Sequence, residues 1–247
     1  MPTQEELVRE IRRVKRWAIG ATIGVMVLAV VAFAPRQDGR FDELTVHRLN
    51  VVEPDGQPTL VLANSQRIPP VTCEGKAYVQ TRKGAGGMIF FDGHGTEVGG
   101  MIFGLSEGED GGYSASRHLS FDRQFDDQTI VLSQSEDADG MTKALRFVDR
   151  TADIEGCQFI ETASRLREGD SAQQAAARRW FEEHYRGGKE VANRVVLGVD
   201  HRNAVLVLAG TDGRPRIRMV VDSASAARLE FLDADGRVVE SLPGDGR

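Results

Sequence analysis

The chain has 247 residues, 40% of them hydrophobic, and a formal net charge of −6. Residues 1–40 hold seven basic and four acidic side chains, which leaves −9 for residues 41–247. A body of that length can bury a real core, and its acidity excludes nucleic acid as the expected partner.

The N-terminus opens with Thr3-x-x-Glu6, a capping-box pattern, and Leu7, Ile11 and Val14 then recur at helical spacing. Arg9, Arg12, Arg13, Lys15 and Arg16 precede an uncharged run, Trp17 to Ala34. Eighteen residues at ~1.5 Å each rise ~27 Å, close to the thickness of a bilayer core. The expectation is a short cytoplasmic segment (1–16), a transmembrane helix (17–34) and a linker (35–40). The cationic cluster places the N-terminus inside and the bulk outside, across a bacterial inner (cytoplasmic) membrane. Ala32-Phe33-Ala34 has the form of a signal-peptidase site, but Pro35 disfavours cleavage, so an uncleaved anchor is expected. Gly20-x-x-x-Gly24 is a small-xxx-small pair, a candidate for helix dimerisation and a homo-oligomer.

From Phe41 onward the apolar residues alternate, and Asp-Gly clusters interrupt them. Glu53-Pro54-Asp55-Gly56, Asp92-Gly93-His94-Gly95, Thr211-Asp212-Gly213 and Asp233-Ala234-Asp235-Gly236 each stand between two apolar runs. That pattern reads as hairpins. Beyond residue 193 the breaks recur about every 12 residues, one strand plus one turn. The predicted architecture is mainly β: a β-rich region (41–150), a polar connector (151–192) with a helix over about 171–186, a C-terminal antiparallel meander (193–243) and a tail (244–247). Barrel, sandwich and extended sheet all stay open, as does the choice between one sheet and two lobes. Asp170 or Ser171 can cap the helix, with Ser171-x-x-Gln174 as a capping box, and Gly187-Gly188 can end it.

The stretches FDELTVHRLNVVEPDG, GGMIFFDGHGTEVGGMIFG and GRPRIRMVVDSASAARLEFLDADGR resemble a group of bacterial single-pass membrane-anchored proteins rich in D-x-x-G hairpins. The likeness covers most of residues 41–243 and implies a β-meander in the cell envelope. It brings no catalytic residues.

Cys73 and Cys157 are the two cysteines. Outside the cytoplasm such a pair is a candidate disulfide, and two free thiols are the alternative. No spacing of Cys and His suggests zinc. Asp137-x-Asp139-Gly140 and Asp233-x-Asp235-Gly236 open like calcium loops but lack the later ligands, so both read as turns. The stretch 104–116 is predicted as a long loop, with Glu107, Glu109, Asp110 and Tyr113 as a candidate binding set. No catalytic, cofactor-binding or metal residues are assigned. Gly86-Gly87-Met88-Ile89-Phe90 and Gly99-Gly100-Met101-Ile102-Phe103 repeat a motif, read as a duplicated hairpin. The expected partners are the bilayer, through 17–34, and an envelope protein or polymer. The expected function is binding or scaffolding. The alternatives are an envelope hydrolase acting on glycan or peptide, and a small-ligand carrier if the sheet closes around a cavity.

Overall fold

The structure is a computed structural model that describes residues 4–32, 39–79, 82, 84–108, 111–185 and 190–243. It divides into two units, residues 1–45 and 46–247.

In the first unit α1 runs Gln4–Ala32. Among the described residues no helix is both long and apolar enough to cross a membrane. The expected span therefore stands uncompleted. Its last two residues, 33 and 34, lie outside the described residues, and the part within α1 (17–32) rises only ~24 Å.

The second unit is built on one antiparallel sheet of twelve strands. In chain order the described strands of this unit are β1 (Arg48–Val52), β2 (Pro58–Ala63), β3 (Thr72–Cys73), β4 (Lys76–Ala77), β5 (Ala85–Phe91), β6 (Glu97–Glu107), β7 (Tyr113–Asp122), β8 (Gln128–Asp137), β9 (Gly140–Arg150), β10 (Val191–Asp200), β11 (Asn203–Ala209), β12 (Pro215–Val221), β13 (Ala227–Leu232) and β14 (Val238–Leu242); all but β3 and β4 belong to the large sheet. Every strand of the large sheet pairs with its sequence neighbour, except that the small hairpin β3–β4 is inserted between β2 and β5. The sheet is open, with β1 and β14 at its edges. The carrier alternative required a closed sheet, and that condition is not met. β9 pairs directly with β10, so the regions before and after the connector form one sheet.

The turns explain the regular meander. At Asp92, Asp222 and Asp233 the first residue of the turn donates its N–H to the carbonyl four residues on. The residue three positions on donates back to the first carbonyl. The first Asp carboxylate also accepts two backbone N–H groups, as Asp233 does from Asp235 and Arg237 at 2.9 Å each. This is how Asp-Gly chemistry closes a hairpin. The residue that returns the bond has positive φ, as at Gly213 (φ +73), where a side chain is strained.

The connector holds two helices, α2 (Gln158–Glu168) and α3 (Ser171–His184). The sequence predicts only the second. Its cap is Asp170, whose carboxylate accepts from Ala172 and Gln173 while the Gln173 side chain accepts from the Asp170 N–H. The box is therefore Asp170/Gln173, one residue earlier than Ser171/Gln174. Tyr185 ends α3, and residues 186–189, including the expected glycine stop, lie outside the described residues. The core is a small cluster on one face of the sheet, of Val61, Ala63, Ile89 and Phe91 with Ile68 and the half-buried Ile102.

Candidate functional site

Two surfaces of the sheet stand out, one on each face. On the face that holds the core, α2 lies over the first half of the sheet. The Cys73–Cys157 disulfide fixes the start of α2 to the β3–β4 hairpin, with the Cα atoms 5.9 Å apart. Beside it the Tyr78 hydroxyl donates to Glu161 of α2 at 2.9 Å, and Lys76 pairs with the same carboxylate at 3.4 Å. Asp126, in the β7–β8 turn, ties down the end of α3: Tyr185 donates to its carboxylate at 3.0 Å and Arg150 at 2.8 Å.

Between α2 and the sheet this leaves a cleft of about 390 Å³. Its walls are Ile89 and Ile102 from the sheet and Phe159 and Ile160 from α2. Polar groups converge on it: Arg82, Glu97, His118, Ser120, Asp122, Asp127 and Arg167. His118, Ser120 and Asp122 alternate along β7, so all three face the same way. Glu97 pairs with Arg82. Glu97 Oε2 and Asp122 Oδ1 are buried and make no hydrogen bond within the described protein. Burial, with the neighbouring carboxylates of Asp127 and Glu97, raises the Asp122 pKa to about 7. Burial also raises Glu97, against the pull of Arg82, and lowers His118. Such a cluster can hold a carboxylic acid neutral beside an ionised one. Among the described residues no group of His, Cys, Asp and Glu could hold a metal ion.

The repeated Gly-Gly pairs enter here. β5 and β6 place Gly100 opposite Ile89 and Gly87 opposite Ile102. A Cβ on Gly100 would lie 2.6 Å from the Met88 carbonyl oxygen, so only glycine allows this close strand approach at the cleft floor.

The opposite face is apolar. Following the pairing from edge to edge, Leu49, Leu62, Met88, Met101, Leu119, Leu132, Leu145, Leu197, Leu206, Met219, Leu229 and Leu242 are successive partners. Each of the twelve strands contributes one Leu or Met. Two residues along, a parallel row reads Val51, Leu60, Phe90, Gly99, Phe121, Ile130, Phe147, Val195, Leu208, Ile217, Phe231 and Glu240. Directly opposed residues share a face, so both rows lie on one side. Among the described residues of this unit that side is uncovered: Leu132 is 53% exposed, Leu197 54%, Phe121 51% and Met219 49%. Equivalent positions on the core face are Ser120, Val131, Arg146, Val196, Val207, Arg218 and Glu230. There Arg218 donates to Glu230 at 2.6 Å.

The candidate binding set of the sequence is not assembled as a loop. β6 extends to Glu107 and β7 begins at Tyr113, and these two residues are direct strand partners. Most of 104–116 is thus strand, because Leu105, Ser106, Ser114 and Ala115 continue the ladder. The Tyr113 hydroxyl donates to Glu136 at 2.8 Å, which commits it within the sheet. Glu109 and Asp110 lie outside the described residues. Gly20 and Gly24 are exposed on α1, with nothing within 4 Å of where a Cβ would stand. The acidic cleft and the apolar rows were not singled out from the sequence. His118-x-Ser120-x-Asp122 at period two was the available signal for the first, and a Leu or Met in the middle of every strand for the second. No protein-family model, curated protein or solved structure matches this chain.

Proposed function

We propose that this chain is a membrane-anchored binding or scaffolding protein of the bacterial cell envelope, and that it engages its partner through the apolar face of the sheet. The unbroken Leu/Met row carries the reading. Contiguous exposed apolar surface of this extent marks an interaction site in a soluble body. The anchor rests on the uncharged run Trp17 to Ala34 and the five cationic residues before it. The disulfide supports an oxidising compartment, hence the extracytoplasmic side. The D-x-x-G turns agree with the group of envelope proteins that the sequence resembles.

The test is a photo-crosslinking residue placed at position 132 of the intact chain in membranes, beside one at position 202 in the exposed β10–β11 turn. Adducts at 132 with none at 202 are expected. Equal adducts at both, or none at 132, would contradict the reading.

A second reading, an envelope hydrolase acting on glycan or peptide, is favoured by one observation. Asp122, held neutral up to about pH 7 beside Asp127 and Glu97, is poised to donate a proton in a half-apolar cleft. Turnover of such a substrate that Asp122→Asn abolishes would put this reading first.

A further inference from the structure

We infer that the occupant of the apolar face is a second copy of this chain, with the two sheets packed face to face. This rests on the reading of that face as the binding surface and names its partner.

The size of the face is the first argument. Twelve strands spaced ~4.8 Å apart extend the two rows over ~53 Å, and the two rows, each using every second residue, occupy about four residues of every strand, a width of ~14 Å. The footprint is therefore up to ~750 Å² per copy. A standard stable interface buries ~800 Å² per partner. Face-to-face sheets with interdigitating side chains ~10 Å apart are the geometry of a β-sandwich, the ordinary way to bury such a face.

The second argument is self-complementarity. A two-fold dimer joins a patch to itself, so every group on the patch must tolerate its own kind. The Leu/Met row contains no charge, and the parallel row has one, Glu240, at the sheet edge. Within the two rows no charge is therefore stranded near the centre, and Lys143, just outside the Leu/Met row opposite Gln134 on β9, has a stem long enough to carry its ammonium to water. On the flank, Arg117 already pairs with Glu136 at 3.6 Å within the chain. The third argument is concentration. An anchored chain meets its copies in the plane of the membrane, which raises the effective concentration of even a modest contact.

β8 and β9 are the sixth and seventh of the twelve strands. A two-fold through the centre of the sheet brings position 132 within reach of the same position in the second copy, across the ~10 Å between packed sheets. Cys73 and Cys157 are disulfide-bonded, and the described residues hold no free cysteine. A Leu132→Cys thiol is thus available to a short bifunctional maleimide in native membranes.

The expected product has twice the 27.1 kDa chain mass. Arg202→Cys should give none. Gly20→Leu with Gly24→Leu, added to Leu132→Cys, should leave the product unchanged. Leu197→Glu, added to Leu132→Cys, should weaken self-association at least ~tenfold, because a charge is then buried without a partner. Leu197→Ser is the milder companion, and retention of the Cys73–Cys157 bond shows that either variant has folded. Three outcomes would overturn the inference: a doubled mass that persists undiminished in Leu197→Glu, its loss in the Gly20/Gly24 variant, or no doubled mass from Leu132→Cys. If the photo-crosslink at 132 captures a different molecule, the second copy is wrong and the binding face stands. If it captures nothing, both fail.

Discussion

The two faces of the twelve-stranded sheet are made by the same strands and the same turns, yet they solve different problems. On one face α2 and a disulfide close over a small core and a cleft in which carboxylates are buried. On the other, Leu, Met, Phe and Ile stand in two rows that no described residue of the same unit covers. Alternation alone assigns a residue to a face. What covers each face is decided elsewhere, by the connector and its cysteine. The comparison teaches that hydrophobic rows take two forms in this protein: a core where the connector supplies the lid, and an open face, which we propose as the interface, where it does not.

The largest effect should come from the lid. Cys157→Ser opens an 84-residue closure and should cost ~4–5 kcal/mol in the chain-entropy model. Chemical denaturation of the intact chain checks it, and a loss below ~1 kcal/mol would mean that α2 holds its place without the bond.

Next is the buried carboxyl beneath that lid. The Asp122 pKa is about 7 when folded, against an ordinary 3.8. Folding therefore favours the neutral acid. No penalty exists below pH 3.8, it grows as the pH rises to about 7, and it is complete above that. Asp122→Asn should stabilise the protein at pH 8 by up to ~4 kcal/mol and change little at pH 3.5. A variant that gains nothing at pH 8 would place Asp122 in water.

The faces can be compared directly by truncation. Ile89 is 1% exposed on the core face, and Ile89→Ala should cost ~3 kcal/mol. Leu132→Ala on the open face, measured below the concentration of self-association, should cost ~0.5 kcal/mol or less. Equal costs would mean that the second face is also covered from within the chain. Gly213→Val should cost ~1–3 kcal/mol, since a β-branched residue resists φ +73. An unchanged melting temperature would show that the turn can reshape.

Much of this was legible in the sequence. Asp92 and Asp233 announce their turns because a short carboxylate bonds to its own following backbone, a local event. The meander follows from those turns. α2 was not legible, since Cys157 at its start makes no side-chain cap; the disulfide and Ile160 against the sheet hold it, and both act at long range. The cleft was hidden for the same reason. Arg82 precedes β5, Glu97 comes from β6, Asp122 from β7 and Asp127 from the turn after it. The loop expected over 104–116 was misread because Gly, Ser and Glu look irregular, yet Ser106 and Ser114 pair across a longer ladder than their propensities suggest.

The central claim is that the apolar face is occupied in the working protein. The most direct measurement is the rate at which a water-soluble maleimide labels Leu132→Cys, Leu197→Cys and Arg202→Cys in intact membranes. All three sites are exposed in the single chain. The expected result is labelling at 132 and 197 that is at least ~tenfold slower than at 202, as a face desolvated by a partner requires. Equal rates at the three sites would contradict it.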